Sequence, residues 1–293
     1  MIQDITPHQF SNSYVERTPE EDSFVLFFRE GELLVMKNPK EPEQITFPEY
    51  RQVADIAGEL TYLFTLDERM FFRSGKQGLE ETIAAEAVGE LGKIEGKELS
   101  YEKRSFFRSA APKEYAFCAI TGLHLNGWYE KSRYCGACGG TLVHDKKERM
   151  MRCPVCGNMV FPRINPAVIV AVTNNDELLL TKYRGREYKK YALVAGFNEI
   201  GESLEETVAR EVMEETGLHV KNIRYYKSQP WGFTDNILAG YYCDLDGGEK
   251  ITMDNDELSV AEWVSRQEIE VKPEDLSLTN EMICRFRSGD YPK

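Results

Sequence analysis

Residues 196–218 read GFNEIGESLEETVAREVMEETGL, and the spacing of these residues decides what the chain can be. Ser203 followed three residues later by Glu206 is the pattern of a helix N-cap with a reciprocal glutamate, so a helix begins at Leu204. Gly217 ends it, because glycine accepts the left-handed backbone that closes a helix. Leu204, Val208 and Val212 recur every four residues and supply the stripe that faces a core. Glu211 and Glu215 lie one turn apart with Glu214 beside them, so these carboxylates project together from one face. Such crowding of like charge is unfavourable unless cations sit there, and hard oxygen ligands at this density suit Mg²⁺ or Mn²⁺. Glu202 and Arg210 read as an ion pair that ties the preceding loop to the helix. The competing picture, a surface helix of solvated glutamates, accounts for Glu205 and Glu206 but not for the clustered set.

The stretch also meets a known pattern, G-x5-E-x7-R-E-U-x-E-E-x-G-U with U aliphatic, through Gly196, Glu202, Arg210, Glu211, Val212, Glu214, Glu215, Gly217 and Leu218. In this it resembles the Nudix box. The resemblance implies an α/β fold, the Nudix α/β/α sandwich, and metal-dependent hydrolysis of a diphosphate bond with Glu211, Glu214 and Glu215 as the catalytic carboxylates. Bound metal would polarise a phosphoryl oxygen, lower the pKa of a water and neutralise the leaving phosphate. Which glutamate accepts the proton stays open, since a metal ligand and a base can share one carboxylate neighbourhood.

Upstream, Cys135 and Cys138 form one C-x2-C and Cys153 and Cys156 a second, 14 residues apart. Zinc takes tetrahedral sulfur ligands, and two such knuckles close one site. A disulfide pair is the rival arrangement, which cytosolic redox conditions oppose. With every position filled by a thiolate, no place remains for water, so the zinc is expected to be structural and to staple a short segment that could not fold alone. Ribbons of this kind can bind nucleic acid, and Lys146, Lys147, Arg149 and Arg152 between the knuckles keep that function in view beside the plainer one of a solvated hairpin. Cys118, Cys243 and Cys284 read as small core or surface residues.

Ten residues after Leu218 comes Ser228-Gln229-Pro230-Trp231-Gly232-Phe233. With the cysteine ribbon directly ahead of the box, this makes residues 116–265 similar to the NADH pyrophosphatases. That resemblance implies cleavage of NADH or NAD to AMP and nicotinamide mononucleotide, extending to NAD caps on RNA, by a homodimer. It places Phe161, Phe197, Trp231 and Gln229 around the substrate and Glu257 beside the metals. The family segment usually continues SQPWPFPxS, whereas this chain has Gly232, Thr234 and Asn236, so its loop lacks two prolines and preference among dinucleotides is open. Read from the residues alone, Trp231 or Phe233 offers a stacking platform for a base, and an aromatic in the core is the alternative. Lys182, Arg184, Arg186, Lys189 and Lys190 form a basic stretch that meets either phosphates or solvent. Rival functions are a broader hydrolase of the ADP-ribose type and a non-catalytic nucleotide or nucleic-acid sensor, which the intact glutamate set opposes.

Composition is that of an ordinary soluble globular protein: 293 residues, 42% hydrophobic and 29% charged, with a formal charge of −13 that opposes broad affinity for nucleic acid. At roughly 150 residues per domain the length suggests about two domains. The pattern divides the chain into an N-terminal α+β domain with a connecting helix (1–130), a zinc ribbon (131–160) and a catalytic domain (161–293). No leader-like N-terminus or membrane-length apolar run is read, so the cytoplasm is expected. Strand-like runs fall at 23–28, 33–37, 60–72, 167–173, 178–182, 191–195, 236–245 and 259–264. Helices are expected at 79–92, 113–129, 204–216 and 280–286.

Overall fold

Short apolar runs separated by turn residues make a β-rich first unit in the computed structural model, which describes residues 1–75, 96–185 and 190–292. Its elements are β1 (Phe10–Ser11), β2 (Phe24–Leu26), β3 (Phe28–Arg29), β4 (Glu32–Asn38), β5 (Glu41–Thr46), α1 (Tyr50–Val53), β6 (Leu60–Leu66), β7 (Arg69–Ser74) and β8 (Glu98–Glu102). After a 3-10 turn at Arg104–Arg108 come α2 (Lys113–Lys131) and the ribbon strands β9 (Val143–His144), β10 (Met151–Arg152) and β11 (Met159–Val160). One sheet runs β1-β6-β7-β2, a second runs β3-β4-β5 with β8 also on β4, and the ribbon forms a third in the order β11-β10-β9. The unit comprises Ile2–Arg163 with Gly232–Thr234.

One feature of this unit departs from the sequence expectation. The run at 60–72 is not one strand but an antiparallel hairpin, β6 and β7, whose reversal uses Asp67 at φ 54°; aspartate tolerates the left-handed region, so no glycine announced the turn. Gly122 lets α2 approach β2, since a Cβ there would stand 2.6 Å from Leu26 Cδ1. Phe24, Phe47, Phe64 and Phe71 are buried edge-on or tilted against one another at 4.9–5.8 Å, which fixes the core beside α2. The helix expected at 79–92 lies outside the described residues, as do Arg186 and Lys189.

The second unit comprises Met1, Ile164–Trp231 and Asp235–Lys293. Its elements are β12 (Asn165–Asn174), β13 (Glu177–Tyr183), β14 (Val194–Phe197), α3 (Leu204–Thr216), β15 (Val220–Trp231), β16 (Asn236–Leu245), β17 (Leu258–Ser265) and α4 (Leu278–Ser288). The sheet order is β15-β16-β12-β13-β17, with β14 paired to β12. β12 and β16 run parallel, and the other pairs are antiparallel. Side chains alternate along β12, so Val168, Val170 and Val172 join Val208 and Val212 of α3 in one core. Ala167, Ile169 and Ala171 join Leu278, Met282, Ile283 and Phe286 of α4 in another. The result is the expected α/β/α sandwich. Among the described residues no helix is long and apolar enough to cross a membrane.

Candidate functional site

The helix α3 carries the candidate site because its two ends are fixed by the residues that mark them in the sequence. Ser203 Oγ accepts the Glu206 N–H at 3.3 Å, and the Glu206 carboxylate accepts the Ser203 N–H at 2.7 Å. Gly217 closes the helix at φ 69°, and its N–H reaches the Met213 carbonyl. Between these caps Val208 and Val212 are fully buried, which turns the glutamate face toward the end of β14.

Arg210 organises that face. Its Nε donates to Glu202 at 2.6 Å, the expected loop-to-helix pair. Nη1 also donates to Glu211 at 2.8 Å and Glu214 at 2.9 Å, and Nη2 to the Phe197 carbonyl at 2.9 Å. Hydrogen bonding to this guanidinium, aided by Thr207 Oγ1 at 2.9 Å, holds the Glu202 carboxyl down at about 2. Asn198 Nδ2 donates to Thr207 Oγ1 and to the Glu202 carbonyl, bracing the loop from within. Neither Thr207 nor Asn198 stands at a defined position of the sequence pattern, and nothing in the sequence marked them.

Glu211 and Glu215 are 9% and 2% exposed, so both carboxylates leave water, while Glu214 and Glu257 stay exposed. Burial, then the charges of Glu257 and Glu211, push the Glu215 carboxyl up to about 8. Its Oε1 lies 3.3 Å from the Tyr183 hydroxyl, and the Ala195 N–H also donates to the carboxyl; Oε2 is buried with no hydrogen-bond partner. Burial likewise raises Glu211. A buried acceptor without a donor, among carboxylates that repel one another, is the donor set a hard divalent cation satisfies, so these residues fit Mg²⁺ or Mn²⁺. Gly196 belongs to the same construction. A Cβ there would stand 1.9–2.1 Å from the Glu211 carboxyl group, so only glycine leaves the space that Glu211 fills.

The cysteines converge as expected. All four sulfurs lie within 4.8 Å of one another, close enough to share one metal ion. Cys135 and Cys156 stand 3.6 Å apart and Cys138 and Cys153 3.5 Å, near the roughly 3.8 Å edge of a tetrahedron with Zn–S bonds of about 2.3 Å. No disulfide joins them. The Ala137 N–H at 3.4 Å lowers the Cys135 thiol to about 6, and the Cys156 N–H lowers Cys153. Gly139 and Gly157 turn each knuckle at φ 75° and 78°. The ribbon is therefore built for a structural zinc.

The residues assigned to substrate fare unequally. Phe161 and Phe197 are about half exposed, at 52% and 55%. Trp231, at the end of β15, is half-buried against the core on the α4 side. Gln229 is fully buried, its amide donates to the Leu276 carbonyl at 2.9 Å and its oxygen accepts the Leu278 N–H at 2.8 Å. Its side chain thereby satisfies a backbone N–H at the start of α4. Phe233 is no open platform, being 8% exposed with the Arg108 guanidinium 4.7 Å from its ring. Gly232 has its own reason to differ from proline, since any side chain would meet Ile120, with Cγ2 2.4 Å from a Cβ. Of the basic stretch, Lys190 pairs with Glu274 and Lys182 lies 4.2 Å over the Tyr191 ring.

Residues 163–286 match the NUDIX domain family, and residues 130–161 match the NADH pyrophosphatase zinc ribbon domain. The NAD-capped RNA hydrolase NudC of Photobacterium profundum is 45% identical over 136 residues, covering 46% of this chain and 51% of that protein. The protein of the same name from Escherichia coli O1:K1 is 37% identical over 162 residues, covering 55% and 63%. The chain thus spans between about half and two thirds of the length of these curated relatives. A NUDIX hydrolase of known structure from Nitrosomonas europaea is similar at 21% identity with a TM-score of 0.46, covering 53% of this chain and 90% of that one.

Proposed function

Because the chain carries a NUDIX domain behind an NADH pyrophosphatase zinc ribbon, we propose that it hydrolyses the diphosphate bond of NADH or NAD to AMP and nicotinamide mononucleotide. The same reaction extends to the NAD cap of RNA, the substrate in the names of the curated relatives. The observation that carries this reading is the buried, unpartnered Oε2 of Glu215 beside Glu211 and the end of β14.

Glu211, Glu214, Glu215 and Glu257 would hold Mg²⁺ or Mn²⁺. The bound ion supplies Lewis-acid polarisation of a phosphoryl oxygen and an acidified water. The protein's own part is positioning. Tyr183 and Ala195 fix one oxygen of Glu215, Gly196 gives Glu211 its place, and Arg210 holds Glu211 and Glu214 in register. Phe197, Trp231 and Phe161, one of them contributed by a second copy of the chain, bind the base and nicotinamide ends by stacking. The enzyme acts in the cytoplasm as a homodimer.

Product analysis with NADH, NAD, NAD-capped RNA and ADP-ribose at fixed metal tests the reading. Release of AMP and nicotinamide mononucleotide from the nicotinamide substrates is expected, with turnover lowered at least about 10²-fold in Glu215→Gln. Phe197→Ala is expected to cost roughly 1–3 kcal/mol in specificity for NADH and to spare ADP-ribose. Near-normal rates in Glu215→Gln would remove the assigned site. Equal losses on both substrates in Phe197→Ala would make that phenylalanine a general structural residue.

A further inference from the structure

The hairpin that joins β15 to β16 carries Trp231 in its last pair, opposite Asn236, and closes through Gly232, Phe233, Thr234 and Asp235. Nothing in that sequence stiffens the turn. It contains no proline, it starts on a glycine, and Asp235 sits in the left-handed region at φ 61°. The last pair of such a hairpin frays unless contacts from outside hold it. Gly232–Thr234 belong to the first unit, whereas Trp231 and Asp235, on either side of them in the chain, belong to the second.

Those contacts come from Arg104, the first residue of the 3-10 turn ahead of α2. Its Nη1 donates to the Gly232 carbonyl at 2.7 Å and to the Phe233 carbonyl at 3.3 Å, while Nη2 donates to the Leu123 carbonyl of α2 at 3.3 Å. One planar guanidinium thus ties two successive carbonyls of the turn to the backbone of a helix, with the added strength of a charged donor. Gly232 also abuts α2, since a Cβ there would stand 2.9 Å from the Ile120 carbonyl oxygen. Arg108, at the end of the same 3-10 turn, stands 4.7 Å over the Phe233 ring. At the far end of the turn the Asp235 carbonyl accepts the Asn165 N–H at 3.0 Å, at the start of β12.

Building on the stacking role proposed above for Trp231, we infer that Arg104 is a positioning residue for the dinucleotide: by fixing the Gly232 and Phe233 carbonyls it presents the Trp231 indole in one orientation. The first unit thereby supplies the rigidity that the turn sequence lacks. The effect falls on binding, because a stacked base is held alike in the ground state and the transition state.

The test is a double-mutant cycle in the kinetics of NADH hydrolysis by the zinc-loaded full chain at saturating Mg²⁺. Arg104→Met is expected to raise KM about tenfold, within the worth of one stacking contact, and to leave kcat within about twofold. Trp231→Ala raises KM by itself, and adding Arg104→Met to it should raise KM no further; a general loss of structure would instead multiply through both backgrounds. The fluorine resonance of 5-fluorotryptophan at position 231, identified by its disappearance in Trp231→Phe, should be single in the wild type and shifted or broadened in Arg104→Met. An unchanged KM in Arg104→Met, a multiplied loss in the double variant, a kcat that falls as much as KM rises, or an unmoved resonance would each overturn the inference. Should Arg104→Met not fold, Arg104→Lys, which keeps the charge but lacks the fork that spans both carbonyls and α2, takes its place with the same outcomes. A wild type that leaves NADH uncleaved, or a normal KM in Trp231→Ala, would remove the stacking role of Trp231 and that of Arg104 with it, whereas an unchanged KM in the Arg104 variant alone removes only the latter.

Discussion

At the scale of single residues, the candidate site is a problem of space and charge solved by few atoms. Gly196 is the clearest case, because any side chain would overlap the Glu211 carboxyl group at 1.9–2.1 Å. Gly196→Ala is therefore expected to fold yet displace Glu211, lowering turnover by about 10²-fold, the scale of a 1 Å misplacement. Unchanged kinetics in the folded variant would show that Glu211 needs no such seat. Glu202 makes a prediction about pH. Arg210 holds its carboxyl at about 2 against an ordinary 4.5, so the folded state binds this proton less readily than the unfolded chain. The stability it contributes is complete above about 4.5 and is lost as pH falls toward 2. Unfolding midpoints of wild type and Glu202→Gln should differ above pH 4.5, with the wild type higher, and converge below it; a pH-independent gap would remove the ion pair as its cause.

At the scale of elements, α3 depends on its caps, and Ser203→Ala should cost about 1 kcal/mol in denaturant unfolding by orphaning the Glu206 N–H. A change within error would mean that packing of Val208 and Val212 alone sets the helix. This element was fully legible beforehand, since cap, apolar stripe and terminal glycine agree on the same bounds, and β16 was read to its last residue. β15 was not. Its sequence VKNIRYYKSQPW mixes charges with a proline, and only pairing with β16, in which Gln229 faces Leu238, makes it a strand. Strand pairing buries Gln229, and Phe233 takes the core alternative that the sequence left open. A polar or aromatic residue in a short motif looks alike whether it meets a ligand or a helix start, and burial is a long-range property. Within the site, the glutamates and cysteines were legible because metal chemistry constrains their spacing. Tyr183, Asn198 and Thr207 were not, because their roles come from strands and loops brought together by folding.

At the scale of the molecule, the ribbon is expected to stand or fall with its metal. Cys153 is 1% exposed among the four sulfurs, so Cys153→Ser should lose bound zinc and lower thermal stability, rather than only slow the chemistry. Metal analysis beside an unfolding curve checks this, and a stable, zinc-free protein would reject a structural metal. The strand β12 sets a different constraint. Its odd and even side chains feed separate cores, one under α3 and one under α4, so the length of the strand is as fixed as its composition. Inserting a single residue beside Val170 would swap the two sets and send valines shaped for one helix toward the other. The exposed turn at Gly247 and Gly248, where a Cβ at either would meet nothing within 4 Å, has no such parity. Lengthening is thus open to the evolving chain at that turn and closed along β12, whatever amino acid is added.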